Sequence, residues 1–335
     1  MNIITKRPAF WLAAVSAVSL AGCGGSGSDP IAEGMGIFNL SVSDGGIDAA
    51  KVCIKFDGVE LKKADEEPFT ISFLDAPEVV NLLAHQGVNS HPIVTGEIVP
   101  AGNYEWIRLK VDASRDKSAG SADGDPDSEE CLAADGSYLL TKGGDLYSLF
   151  IPSGDQSGLK LIKDITIPVN ATGNYTAEWD LGKSFIAPPG LYPYAIMKPV
   201  VKLVANNEVG TLVGQVADDL VLADTCDVEF TPKVYVFNDG IAPNPIDYPP
   251  EVEDPDPPFV PDPNDPVATG LVKQQEQDDG SMPYRYSIGF LLAGDYEAAF
   301  TCDGETFIPA DGKPASITIG AVETVNFDDT DLPSP

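Results

Sequence analysis

Histidine occurs only twice, at His85 and His91, and basic residues number 20 against 52 acidic ones in a chain of 335. The resulting formal charge of −32 repels phosphate backbones and anionic lipid surfaces, which disfavours nucleic-acid binding. Divalent cations and cationic partners are the compatible ligands, although acidity also serves simply to keep a protein soluble. No two of the five cysteines stand in a Cys-x-x-Cys spacing, which argues against thioredoxin-like redox work and zinc ribbons. The two histidines lie six residues apart around a glycine turn with no further histidine or cysteine beside them, so loop or packing roles outweigh a metal pair. Ser153 and Ser157 lack the strand-turn-helix setting and the Gly-x-Ser-x-Gly elbow of an exposed nucleophile; turn chemistry accounts for that run. What is abundant describes a folded, turn-rich protein: 43% hydrophobic residues with 32 glycines and 29 prolines.

Near the start, Lys6 and Arg7 precede an apolar run from Ala9 to Leu20 that closes in Leu20-Ala21-Gly22-Cys23. This segment resembles a bacterial lipoprotein signal peptide. The resemblance implies that residues 1–22 are removed and that Cys23 becomes a lipid-bearing N-terminus, so the apolar run is an export signal and not a membrane span. Residues 23–34 then read as the lipidated cysteine and a flexible polar linker, Gly24-Gly25-Ser26-Gly27-Ser28-Asp29-Pro30. Gly24 follows the cysteine where an aspartate commonly retains such lipoproteins at the inner membrane. The resemblance therefore implies a lipid-anchored outer-membrane protein, facing either the periplasm or the outside and touching the membrane through its lipid. In an oxidising compartment the other four cysteines, Cys53, Cys131, Cys226 and Cys302, suggest two disulfides. Three pairings are open, and the domain division given next favours Cys53 with Cys131 and Cys226 with Cys302.

Alternation of apolar and polar residues dominates the remaining chain. Gly36–Ser43, Lys51–Phe56, Phe69–Phe73 and Trp106–Val111 are short runs rich in β-branched or aromatic residues and bounded by Gly, Asp or Pro, and they read as strands. One helical turn is expected at Val79–Ala84, ended by Gly87. Ala101-Gly102-Asn103-Tyr104, Thr172-Gly173-Asn174-Tyr175 and Ala293-Gly294-Asp295-Tyr296 each precede an alternating run and read as corners where a strand begins and the aromatic packs inward. A fresh strand series opens at Val209–Val216 and continues through Lys233–Phe237, Tyr284–Ile288, Tyr296–Phe300 and Ser316–Ile319. Between them, residues 241–266 hold ten prolines and seven acidic residues with no basic one, the composition of an extended solvated loop. The expected architecture is all-β: two β-sandwich domains of immunoglobulin or transthyretin type over residues 35–205 and 206–335, after the signal peptide.

Residues 36–204 resemble the bacterial domain of unknown function 4382, found mostly in exported lipoproteins. The resemblance rests on Leu40–Asp44, Phe56–Leu61, Val80–Gly87, Val99–Leu109, Ile151–Leu161 and Lys198–Val201, taken in that order. It carries no catalytic residues with it. The second unit is loosely similar to transthyretin-like or carboxypeptidase-regulatory sandwiches through its Gly210-Thr211-Leu212-Val213-Gly214 opening and its Leu292–Tyr296 corner, modules that serve as spacers, interaction surfaces or carbohydrate-binding accessories.

Among sites, Asp123, Asp125, Asp127 and Glu129 alternate as calcium-loop ligands do, but Pro126 interrupts them and no helical pattern flanks them, so a plain acidic loop outweighs a calcium site. Asp254, Asp256, Asp262 and Asp265 form a weaker version. Aromatic platforms for sugars would come from Tyr104, Trp106, Trp179, Tyr192 or Tyr194 if these face outward. No cofactor is implied beyond a structural calcium ion. The expected activity is binding rather than catalysis: an adhesion-type envelope module meeting an envelope protein or polysaccharide, with a carbohydrate-capturing lipoprotein as the alternative. A hydrolase is disfavoured because no His, Ser and carboxylate set converges.

Overall fold

The computed structural model describes residues 32–47, 49–114, 130–131, 135–152, 158–185, 194–223, 226, 230–244 and 264–332. The signal segment with Cys23, the acidic run Asp123, Asp125, Asp127 and Glu129, Ser153, Ser157, Tyr192, and residues 245–263 of the proline-rich loop lie outside the described residues.

The first half builds strands β1 (Met35–Asp44), β2 (Lys51–Lys62), β3 (Phe69–Ser72), β4 (Glu78–Asn81), β5 (His91–Pro100), β6 (Gly102–Val111), β7 (Tyr138–Leu140), β8 (Leu146–Phe150), β9 (Leu159–Ile167), β10 (Thr172–Trp179), β11 (Tyr194–Ile196) and β12 (Val201–Ala205). One sheet runs β12-β10-β1-β5; the facing sheet runs β11-β8-β7-β2-β6-β9, with β3 and β4 also paired to β2. Alternation sets which face is buried. Phe38, Leu40 and Val42 on β1, and Tyr175, Ala177 and Trp179 on β10, point into one core with Ile54, Phe56, Ile107 and Leu109 of the other sheet. The helical turn expected at Val79–Ala84 is shorter than its sequence suggested. Val79 and Val80 pair with Lys55 and Ile54 on β2, because β-branched residues beside an open strand gain more from the ladder than from a helix. Only Leu82–Ala84 forms a 3-10 turn, with the Asn81 side chain accepting from the Leu83 N–H at 3.2 Å.

The second half builds β13 (Val209–Val216), β14 (Lys233–Asn238), β15 (Ala268–Leu271), β16 (Lys273–Gln274), β17 (Tyr284–Leu292), β18 (Gly294–Thr301), β19 (Ile308–Ile317) and β20 (Val322–Thr324). Sheets β16-β17-β13-β20 and β15-β14-β18-β19 enclose a second core around Leu212, Val234, Tyr286, Ile288, Phe300 and Phe327. The molecule is therefore all-β, built as two sandwiches.

The two sandwiches repeat one motif. β1 lies between parallel β10 and antiparallel β5, as β13 lies between parallel β20 and antiparallel β17; β6 lies between β2 and β9, as β18 lies between β14 and β19. The agreement extends to single hydrogen bonds. The Tyr104 hydroxyl donates to the Pro100 carbonyl at 2.5 Å and the Tyr296 hydroxyl to the Leu292 carbonyl at 2.9 Å. Thr166 Oγ1 donates to Asn103 Oδ1 at 2.9 Å, and Ser316 Oγ to Asp295 Oδ1 at 2.7 Å. The Asn170 and Gly320 amides close equivalent turns on the Met35 and Val209 carbonyls at 2.9 and 2.8 Å. Gly36 and Gly210 are both required to be bare, since a Cβ there would sit 2.4 Å from the Pro168 or Thr318 carbonyl oxygen. The shared Ala-Gly-Asn/Asp-Tyr corner is the part of this repeat that survives in the sequence.

Two disulfides staple the halves separately. Cys53 on β2 joins Cys131 with a Cα–Cα distance of 5.9 Å, and Cys226 joins Cys302, just past β18, at 5.0 Å. Each closes a long loop, 78 and 76 residues apart in sequence.

Candidate functional site

Three sheet-terminal strands meet where the sandwiches adjoin: β9 and β12 of the first, and β15 of the second. They line a cleft of about 590 Å³, within the range of ordinary ligand sites. One wall is Leu161, Ile162 and Lys163 of β9; the next is Val201, Lys202 and Leu203 of β12 with the end of β10; the third is Pro266–Thr269, with Leu292 contributed by β17. About half of this lining is aliphatic, and Ile162 is 80% exposed.

The charges inside are paired. Lys202 and Glu178 face each other across the β10–β12 ladder with Nζ 2.9 Å from Oε2. Burial raises the Glu178 carboxyl above its usual range, opposed by the Lys202 charge. Lys183, buried on the one-turn helix Leu181–Ser184, reaches across the cleft to hydrogen-bond the Pro266 carbonyl and lies 3.6 Å from Asp180 Oδ2. Lys163 lies 3.6 Å from Glu208. Trp179, fully buried at the back of the cleft, leaves its indole Nε1 without an acceptor.

Beside the cleft the two sandwiches touch through backbone. The Gly289 amide of β17 donates to the Gly87 carbonyl at 3.1 Å, and Lys273 Nζ of β16 donates to Gln86 Oε1 at 2.9 Å. Gln86 also meets Asp44, which is buried at the end of β1. Burial pushes the Asp44 carboxyl up to about 8, against the Gly46 and Leu181 amides that donate to it, while Asp180 nearby adds to the rise.

The residues singled out by sequence are dispersed. Tyr104, Trp106 and Trp179 are buried, and Tyr194 is half-buried against Phe150, so these four offer no row of exposed rings for a sugar. Arg108 and Lys160 cover the Trp106 ring at 4.6 and 5.0 Å. The His85 and His91 rings lie 5.0 Å apart, tilted by 46°, and His91 Nε2 lies 2.8 Å from Glu78 Oε1. Among the described residues no group of three or more His, Cys, Asp or Glu side chains is placed to hold a metal ion, and no helix is long and apolar enough to cross a membrane. Of the acidic candidates only Asp265 lies among the described residues, on the lining of the cleft. The cleft itself was not visible in the sequence, because its walls come from three strands whose edges become terminal only in the folded sheets.

Fold and cleft define an all-β tandem sandwich stapled by a disulfide in each half. Residues 35–199, a span within the first sandwich, match the family model described as Domain of unknown function (DUF4382). No curated protein matches the chain. Among solved structures, a candidate adhesin from Bacteroides ovatus is 10% identical, with 95% of this chain and 100% of that chain covered at a TM-score of 0.17. A candidate cell adhesion protein from Bacteroides eggerthii is 11% identical, with 90% and 89% covered at the same score. At that score neither likeness bears on what this chain binds.

Proposed function

We propose that this protein is a lipid-anchored component of the cell envelope, held at the outer membrane through Cys23, that works as an adhesion-type binding module without catalysis. The observation that carries the reading is the cleft between the sandwiches: an aliphatic trough with its charges already paired and with Ile162 standing open in its wall. Such a surface favours contact over chemistry, since its ionisable groups are engaged with one another rather than converging on one point. The test is binding of the purified chain to isolated cell envelopes, compared with an Ile162→Lys, Leu292→Lys double variant. Both side chains are exposed, so the variant keeps its core. Binding weakened at least ten-fold supports the cleft as the contact surface; unchanged binding removes it.

A further inference from the structure

Extending that reading, on which it rests, we infer that the cleft takes an extended polypeptide segment of another protein, added as a strand along the outer edge of β12. The hydrogen-bond pattern of β12 sets up the edge. The Asp180 amide donates to the Val200 carbonyl and the Asn206 amide to the Asn174 carbonyl, at 2.8 and 3.0 Å, so the even-numbered residues of this strand turn their peptide groups toward β10. Strand geometry then turns the N–H and C=O of Val201 and Leu203 the other way, and among the described residues no strand follows β12 in the sheet. Val201 and Leu203 both line the cleft.

The chain blunts its other long sheet edges, as proteins do to avoid unwanted pairing. β5 carries Pro92, Pro100 and register irregularities, and β19 carries Pro309 and Pro314. On β9 the Tyr175 hydroxyl takes both the N–H and the C=O of Thr166. β11, β15, β16 and β20 have four residues or fewer. The internal repeat supplies a control. β20 is the counterpart of β10, on which β12 lies; in the second sandwich the chain beyond β20 is closed instead by Lys313 Nζ on the Asn326 carbonyl at 2.8 Å and by Asp331 on the Asp328 amide at 2.9 Å. β12 has neither a proline nor a register shift in its five residues.

An added strand would find hydrogen-bonding groups on one side and aliphatic lining for its alternate side chains in Leu161, Ile162, Val267 and Leu292. Its charge is constrained too. The cleft's lysines each have an acidic neighbour, and the chain carries −32 overall, so a neutral or basic aliphatic segment is accepted and an acidic one repelled.

The test uses a fluorescent synthetic peptide copying residues 199–206, which is aliphatic with a single lysine, and the purified full chain. Fluorescence anisotropy is measured for the peptide and for two forms N-methylated at alternate residues, one in each frame. A strand bonds its neighbour through alternate residues, so one frame should lose at least ten-fold in affinity and the other should keep it. Val201→Pro removes the outward N–H while sparing the bonds to β10, and should weaken the unmodified peptide at least ten-fold. If that variant does not fold by circular dichroism, the two methylated frames decide on the wild-type chain. Equal loss in both frames, or none in either, overturns strand addition, as does a folded Val201→Pro that binds unchanged. Absence of peptide binding overturns it as well. In each of those cases, envelope binding that is still lost in the Ile162→Lys, Leu292→Lys variant leaves the cleft standing as a contact surface, so the two failures are told apart.

Discussion

The Gly289 amide donates to the Gly87 carbonyl at 3.1 Å, and a Cβ built on Gly289 would lie 2.5 Å from that same oxygen. The two sandwiches approach more closely here than any side chain would allow. Gly289→Ala should therefore push the second sandwich off the first without entering either core, costing on the order of 1–3 kcal/mol in overpacking. Urea unfolding followed by tryptophan fluorescence, which reports the first sandwich through Trp106 and Trp179, and by far-UV circular dichroism checks this. Coincident transitions in the wild type should separate in the variant; curves that stay coincident with an unchanged midpoint would show the contact to be dispensable.

Asp44 makes the same junction sensitive to pH. Its carboxyl sits near 8 when folded and at about 3.9 in an unfolded chain, so the folded form holds the extra proton between those values. The stability it contributes is complete below about pH 4 and declines as pH rises toward 8. Asp44→Asn imitates the protonated acid. Its melting temperature should exceed that of the wild type by a margin that widens from pH 5 to pH 8, reaching on the order of a few kcal/mol at the upper end. A constant margin across that range would sink the assignment.

Loss of either disulfide should be felt mainly in its own sandwich. Loops of 78 and 76 residues give about 4 kcal/mol each by the chain-entropy account, an upper expectation. Calorimetry of the Cys226→Ala, Cys302→Ala chain should show the second sandwich melting earlier while the first keeps its midpoint.

The repeated corner permits a paired measurement. Tyr104→Phe and Tyr296→Phe remove equivalent hydroxyls, but Tyr104 is buried and Tyr296 only partly so. Removing the Tyr104 hydroxyl leaves the Pro100 carbonyl without that donor, and should cost about 1–3 kcal/mol against about 1 kcal/mol or less at Tyr296. Equal losses at both would contradict the burial argument.

Anchoring has its own readout. Cys23→Ser should abolish labelling of the protein with radioactive palmitate and raise its mass by that of the uncleaved signal; labelling and mass that both stay unchanged would remove the lipid from the proposal.

The all-β architecture was legible because strand burial leaves a period of two in the sequence, plain in Phe38-Leu40-Val42 and in Ile107-Leu109-Val111. The sequence overstates the helical turn at Val79–Ala84, since apolar spacing there fits a strand or a helix equally and only the neighbouring β2 decides. The corner tyrosines were visible, yet the repeat they belong to was not. Its remaining conserved contacts, such as the Asn170 and Gly320 turns, are made by backbone and tolerate almost any side chain. The cleft left no mark for a related reason: an edge strand and a central strand of the same length read alike, and Val201–Ala205 has nothing in its composition to show that it ends a sheet.

Each covalent staple lies within one sandwich and neither crosses between them. The angle at which the two halves stand is thus held by a seam of bare peptide at Gly87 and Gly289, by the Gln86 to Lys273 bond and by Lys183 on the Pro266 carbonyl across the trough itself. Reducing agents would soften each half while leaving the trough's aperture alone. One added methyl group on the seam, at Gly289, would act as a shim and change what the trough can grip.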